Sequence, residues 1–228
     1  MSEHGSQFSF ETQKEFDKHI SQSVSSYDAL NQLVINIASY FVHKGSNVLD
    51  VGCTSGKLLY DLNDKYPESN YYGVDVVDVR KYQGYKFINM DILDIQSMAI
   101  DNRKLLPDEI PFMHLVFSVF TMQFIKRENK YEYLQRLHSF LKPGGALILC
   151  EKTISSDGLF QEIFNFCHYD QKRESFTDKD ILDKQKVLRS IMFCETEDEI
   201  VDRCLDIGFK QVSRFFQSLS FKGWILIK

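Results

Sequence analysis

The sequence predicts an α/β protein built on a parallel, doubly wound sheet. Three observations carry this expectation. Short β-branched runs alternate with segments of helical period. A glycine-containing turn follows the first of those runs. No stretch rich in Pro, Gly or Ser divides the chain. The 228 residues suit one domain: residues 1–15 read as a flexible, solvated tail and 16–228 as the folded unit.

The elements follow in order. Leu30, Leu33, Val34, Ile37, Ala38, Phe41 and Val42 repeat with helical period, and Gly45 stands just past that helix. Asn47–Val51 is a buried strand closing on Gly52. A helix follows from about Gly56 to Lys65, stopped before Pro67. Asn70–Asp75, Lys86–Asn89 and Met113–Val119 read as strands two to four. A helix over about Glu128–Leu141 precedes Lys142-Pro143-Gly144-Gly145, and Ala146–Cys150 is the fifth strand. Helices are expected near 157–168, 178–192 and 196–207, the last ended by Gly208. Residues 157–192 then form a helical insertion over the strand ends. Phe209–Phe216 and Phe221–Ile227 close the sheet, with a kink expected at Lys222-Gly223.

Composition excludes several classes. Lys plus Arg number 27 against 32 Asp plus Glu, a formal net charge of −5, which argues against a general nucleic-acid binder. No apolar run is long enough to span a bilayer. Five cysteines without a CxxC pair give neither a disulfide scaffold nor a zinc ribbon and point to a reducing, cytoplasmic setting. His43, His114, His138 and His168 lie far apart in sequence, so no metal site is expected.

The chemistry begins at Asp50-Val51-Gly52-Cys53-Thr54-Ser55-Gly56. Gly52 lets the chain turn sharply with its backbone close to a ligand. Gly56 allows close packing where the helix starts, and the helix N-terminus offers free N–H groups. Asp75 closes the second strand, where a carboxylate in an open α/β sheet accepts hydrogen bonds from a ribose. Asp91 and Ile92 follow the third strand, placed to edge and cover an adenine. Each feature alone reads equally as ordinary turn chemistry; their recurrence at three successive strand ends points to a nucleoside.

Asp-x-Gly-x-x-x-Gly, the acidic end of the second strand and Leu-Lys-Pro-Gly-Gly before the fifth resemble a class I S-adenosylmethionine-dependent methyltransferase. That likeness implies a Rossmann-like, seven-stranded sheet with helices on both faces and an antiparallel last strand. Ser23–Tyr27, Thr121–Phe124, Gly144–Lys152, His168–Arg173, Arg203–Phe209 and Phe216-Gln217, in that order, resemble the carboxy-S-adenosylmethionine synthase family over about residues 16–228. The resemblance implies S-adenosylmethionine or carboxy-S-adenosylmethionine as the bound cofactor and prephenate as the small-molecule substrate. Phenylpyruvate is the implied second product, and the carboxylated product would supply wobble-uridine tRNA modification. No direct nucleic-acid or membrane partner is implied, and a homodimer is left open.

The resemblance also assigns residues. Tyr27, Gly52, Cys53, Thr54, Asp75, Asp91 and Ile92 would hold the cofactor. Arg203 would be catalytic and would pair with the new carboxylate beside the sulfonium, since its fork binds both oxygens. By periodicity alone Arg203 is a charge at the edge of its helix's buried face, and Tyr27 a core aromatic. Gln123 and Lys152 lie just beyond strand ends and are not read as catalytic, and Lys172 and Arg173 read as a solvated basic face rather than an entry for an acidic substrate. The chain departs from the family pattern at Val76 and Val119, where asparagines are expected, in the short segment after Asp75, and in an insertion near 101–111. The alternatives are a methyltransferase of an unknown small molecule or nucleic acid, and a non-catalytic homologue.

Overall fold

The sheet is built where β-branched and aromatic residues alternate between two buried faces. In the computed structural model, which describes residues 16–95 and 111–228, it has seven strands in the order β3-β2-β1-β4-β5-β7-β6. These are β1 (Asn47–Val51), β2 (Asn70–Asp75), β3 (Lys86–Asn89), β4 (Met113–Val119), β5 (Leu141–Lys152), β6 (Gln211–Ser218) and β7 (Phe221–Ile227). β1 pairs in parallel with β2 on one side and β4 on the other. The strand order reverses there, so a crevice opens at the C-terminal ends of these strands, the place where ligands bind in open α/β sheets. The expected residues 1–15 and most of the 101–111 insertion lie outside the described residues.

Seven α-helices are described: α1 (Phe16–Ser23), α2 (Tyr27–Ala38), α3 (Lys57–Lys65), α4 (Lys130–Phe140), α5 (Gly158–Lys172), α6 (Asp178–Ile191) and α7 (Glu197–Ile207). One sheet face packs Leu49, Val116 and Leu147 against Tyr133 and Leu137 of α4 and Ile200 and Cys204 of α7. The opposite face packs Val48, Leu115 and Phe117 against Leu30 and Val34 of α2 and Leu59 of α3. Helices α6 and α7 start at full capping boxes, Thr177 with Asp180 and Thr196 with Glu199.

Four local features differ from the sequence reading. α1 precedes the first expected helix. α2 ends at Ala38, four residues before Val42, where the Ser39 hydroxyl donates to the Asn36 carbonyl at 2.6 Å and competes with the helical ladder. β5 begins at Leu141 rather than Ala146, because Leu141 already pairs with Met113 and a register shift absorbs the Pro-Gly-Gly segment. The expected kink at Gly223 lies instead in β6, where the register shifts between Arg214 and Phe216. Gly223 remains in the ladder because a Cβ there would stand 2.8 Å from the Phe215 ring, so its missing side chain makes room for the bulge.

β7 runs antiparallel between β5 and β6. Lys152 pairs with Phe221, and the Thr153 N–H donates to the Ser220 carbonyl at 2.7 Å. The Ile154 N–H donates to the Glu195 carbonyl at 3.0 Å, so the chain leaves the end of β5 and comes back to one joint with α5 and α6 in between, before α7 leads into β6 at the sheet edge. The connection from β2 to β3 carries no helix, in agreement with its short length.

Candidate functional site

The first wall of the site is the turn after β1. Gly52 holds φ +77° and donates its N–H to the Val74 carbonyl at 2.8 Å. Thr54 also adopts a left-handed conformation, φ +46°, which costs a non-glycine residue roughly 1–2 kcal/mol. Two bonds hold it there: its N–H donates to Asp75 Oδ2 at 2.9 Å, and its hydroxyl donates to the Gly52 carbonyl at 3.1 Å. Asp75 Oδ1 accepts the Val77 N–H at 3.0 Å. Burial pushes the Asp75 carboxyl above its ordinary pKa, opposed by these backbone donors. Beneath it, burial and then the Asp75 charge push Asp50 up to about 7. Past β3, Asp91 Oδ1 accepts the Leu93 N–H at 2.9 Å.

These residues open into a cavity of about 380 Å³ at the C-terminal ends of the strands. Gly52, Thr54, Asp75, Asp91 and Ile92 all line it, as do Val76 and Val119. Three expected residues do not. Tyr27 packs into the core beside Phe120, ring centroids 6.4 Å apart, and burial raises its phenol to about 12. The Cys53 thiol points away toward Gly73 and Tyr85, because the turn at Gly52 rotates that side chain under the sheet. Burial raises its pKa as well.

Arg203 is the third. Its Nη1 and Nη2 donate to the two carboxylate oxygens of Glu195 at 2.7 and 2.8 Å. Glu195 has no exposed side-chain surface and also lies 3.1 Å from the buried Lys130 Nζ. The fork expected to receive a ligand carboxylate is thus filled by one from this chain, at the joint of α7 and the loop before it. Arg203→Ala is accordingly expected to lower stability and to weaken S-adenosylmethionine and its carboxylated form by the same factor. Paired calorimetric titrations check this; a loss confined to the carboxylated ligand would return Arg203 to the site.

The opposite wall corrects the reading of Lys172 as part of a solvated basic face, since Lys172 is buried and lines the cavity. Lys152 at the end of β5, His168 and Lys172 on α5, Lys184 and Gln185 on α6 and His19 on α1 line the same cavity. His168 and Lys172 are four residues apart and share a helix face. The His168 Nε2–H donates to the Ser23 carbonyl at 2.8 Å, and the Ser55 hydroxyl donates to Asp17 at 2.6 Å. These two bonds fasten α1 to α5 on one side and to the glycine turn on the other. Lys184 Nζ lies 2.6 Å from His19 Nε2. Gln123 Oε1 accepts the Lys152 N–H at 3.1 Å and fixes the base of this wall.

The wall is electropositive yet poorly solvated. Burial, then the charges of Lys152 and Lys184, bring Lys172 down to about 8. Burial brings Lys184 to about 8. Burial, then the Lys152 charge, brings His168 to about 4, so its imidazole is neutral. No group of three or more His, Cys, Asp or Glu suited to a metal occurs among the described residues. No helix among them is long and apolar enough to cross a membrane.

Comparison with known proteins agrees with this geometry. A family model described as a methyltransferase domain matches residues 48–145, which carry the glycine turn, Asp75 and Asp91. The carboxy-S-adenosyl-L-methionine synthase of Staphylococcus epidermidis is 26% identical over 225 residues, covering 96% of this chain and 94% of that protein. An O-methyltransferase structure from Nostoc punctiforme superposes with a TM-score of 0.61 at 15% identity, over 93% of this chain and 59% of its own. The Burkholderia thailandensis 1,6-didemethyltoxoflavin-N1-methyltransferase, crystallised with S-adenosylhomocysteine, gives 0.57 at 14% identity, over 92% of this chain and 83% of its own. Sheet order, crevice and full-length similarity converge: the chain has the class I methyltransferase fold and is similar over nearly its whole length to carboxy-S-adenosyl-L-methionine synthases.

Proposed function

We propose that the protein binds S-adenosylmethionine across the ends of β1, β2 and β3 and acts as a carboxy-S-adenosylmethionine synthase. It takes prephenate as the carboxylate donor and releases phenylpyruvate, and its product supplies wobble-uridine tRNA modification. The observation that carries the reading is one cavity with two unlike walls. The cradle wall suits a nucleoside: the Asp75 carboxylate faces ribose hydroxyls, Val76 and Ile92 offer apolar cover for an adenine, and the Gly52 backbone admits close approach. The lysine wall suits a substrate with two carboxylates.

S-adenosylmethionine, when bound, supplies a sulfonium that acidifies its own methyl protons. The chain's contribution is placement. Lys152 and Lys184 hold carboxylates where Arg203 does not, and burial strengthens each of those pairings by lowering the local dielectric. His168 stays neutral and donates to Ser23, which keeps α5 over the cavity. The apolar residues Phe124, Leu188 and Met192 line the cavity too and limit water, which would otherwise compete for carbon dioxide released from the donor.

A specific observation favours a second reading. With Arg203 committed to Glu195, no arginine among the described residues lines the cavity, and methyl transfer to an anionic acceptor needs none. Incubation with S-adenosylmethionine and prephenate, followed by mass spectrometry, separates the two. The expected result is a carboxylated sulfonium and phenylpyruvate without matching S-adenosylhomocysteine. Accumulation of S-adenosylhomocysteine with an added acid acceptor, and no carboxylated product, establishes the methyltransferase instead.

A further inference from the structure

Lys172 is only 4% exposed, yet it lines the cavity and pairs with no carboxylate among the described residues. No salt bridge or hydrogen bond is formed by its Nζ among the described residues; the charges that act on it are the ammonium groups of Lys152 and Lys184. A lysine retained for charge alone gains from an acidic partner. One that is desolvated and set among other cations loses its proton readily and becomes a nucleophile. Around it stand the neutral His168, one turn earlier on α5, Lys152 from β5, with its Nζ 5.7 Å from the Phe221 ring centroid, and Lys184 of α6 against His19 of α1.

From this arrangement we infer that Lys172 is a carbonyl-capturing lysine, forming a reversible imine with a small 2-oxo acid whose carboxylate is held by Lys152 and Lys184. The amine nitrogen adds to the carbonyl carbon and its proton passes to the carbonyl oxygen. Loss of one water then leaves a C=N bond to Nζ, with no oxidant or reductant consumed. A ketone lacking the acid group would find the same amine but not the flanking cations, so the acid is the specificity element. Capture would hold the oxo acid at a fixed place beside the cradle and slow its escape. This activity does not require the adenosyl reaction, so its test is run without S-adenosylmethionine.

The full chain is incubated with pyruvate or phenylpyruvate and sodium cyanoborohydride, and digested for peptide mapping by mass spectrometry. The expected result is a single saturable adduct, the acid less one oxygen, on the peptide carrying Lys172. Acetone, which lacks the carboxylate, should label that peptide far more weakly. Lys172→Arg keeps the charge without a nucleophilic amine and should lose the adduct while exposed lysines label as before. Mapping of the unaltered protein decides the matter even if that variant folds poorly. No adduct, an adduct on Lys152 or Lys184, labelling spread evenly over exposed lysines, or equal labelling by acetone overturns the assignment. Failure of the carboxylated sulfonium to form leaves these outcomes unchanged, so the two proposals fail separately.

Discussion

Glu195→Ala is expected to cost about 3–5 kcal/mol of folding stability, the penalty for breaking a buried ion pair from one side. Glu195 has no exposed side-chain surface and Lys130 only 1%. Its carboxylate takes both Arg203 nitrogens, stands 3.1 Å from Lys130 and 3.6 Å from Arg127. Removing it leaves the buried Lys130 ammonium with the Phe193 carbonyl, which carries no charge to neutralise it, and with Glu151, whose carboxyl burial pushes up to about 8. For a chain of this size the midpoint of thermal unfolding should fall by about 6–20 °C. Burial alone would raise the Glu195 pKa, but the Arg203 hydrogen bond and the Lys130 charge outweigh it, so the folded value lies below the ordinary one. The stabilisation is therefore fully present above the ordinary glutamate pKa and is lost as pH falls through the folded value. Urea titrations of both proteins at neutral pH and at a pH below the ordinary glutamate pKa should show the gap narrowing in acid. A gap that widens in acid, or a neutral-pH cost under about 1 kcal/mol, would show that the pair is not what holds this corner.

Gly52→Ala is expected to weaken S-adenosylmethionine binding at least tenfold, about 1.4 kcal/mol or more. A Cβ at Gly52 would stand 2.2 Å from Thr121 Oγ1 and 2.7 Å from its Cγ2. Thr121 cannot turn aside cheaply, because its hydroxyl donates to the Val51 carbonyl at 2.9 Å. The backbone at φ +77° adds strain of roughly 1–2 kcal/mol for any L side chain. Relief of the clash opens the turn and withdraws the Thr54 N–H from Asp75, so the damage reaches the cradle. Adding Thr121→Ala should recover only part of the affinity, since the Thr121 Cβ itself would remain 3.0 Å away and the backbone strain persists. Calorimetry on folded protein is the check, and undiminished affinity in Gly52→Ala would disprove the role given to this turn.

The legibility of the molecule follows the range of the interactions. β1 to β4 and β7 match their expected limits because each is an apolar run cut by turn residues, a signal contained in a few positions. Gly52, Thr54, Asp75, Asp91 and Ile92 were legible for the same reason: each sits at a strand end, and a strand end is a local event. Cys53 was misread because its neighbour Gly52 adopts positive φ, which turns the next side chain under the sheet. Arg203 was misread because its partner, Glu195, is a helix start away, and nothing in the spacing marks that carboxylate as buried. The lysine wall draws on β5, α1, α5 and α6, and only tertiary packing brings Lys152, Lys172 and Lys184 to one cavity. The extra length of β5 was hidden by Pro143-Gly144-Gly145, which reads as a stop until Met113 supplies a partner.

The joint where Ile154 meets Glu195 has a consequence for how such a protein diversifies. Everything between those two residues departs from and returns to a single point beside the end of β5. Lengthening a closed loop is inexpensive, about 0.6 kcal/mol for each doubling. The two helices that carry His168, Lys172, Lys184 and Gln185 can accordingly be lengthened, shortened or exchanged while strands β1 to β5 keep their register. Descendants of one ancestor should then drift fastest over residues 158–192 and slowest over 47–92, which carry the glycine turn, Asp75 and Asp91. Chimaeras that exchange 158–192 between relatives are the natural units for moving acid preference from one scaffold to another.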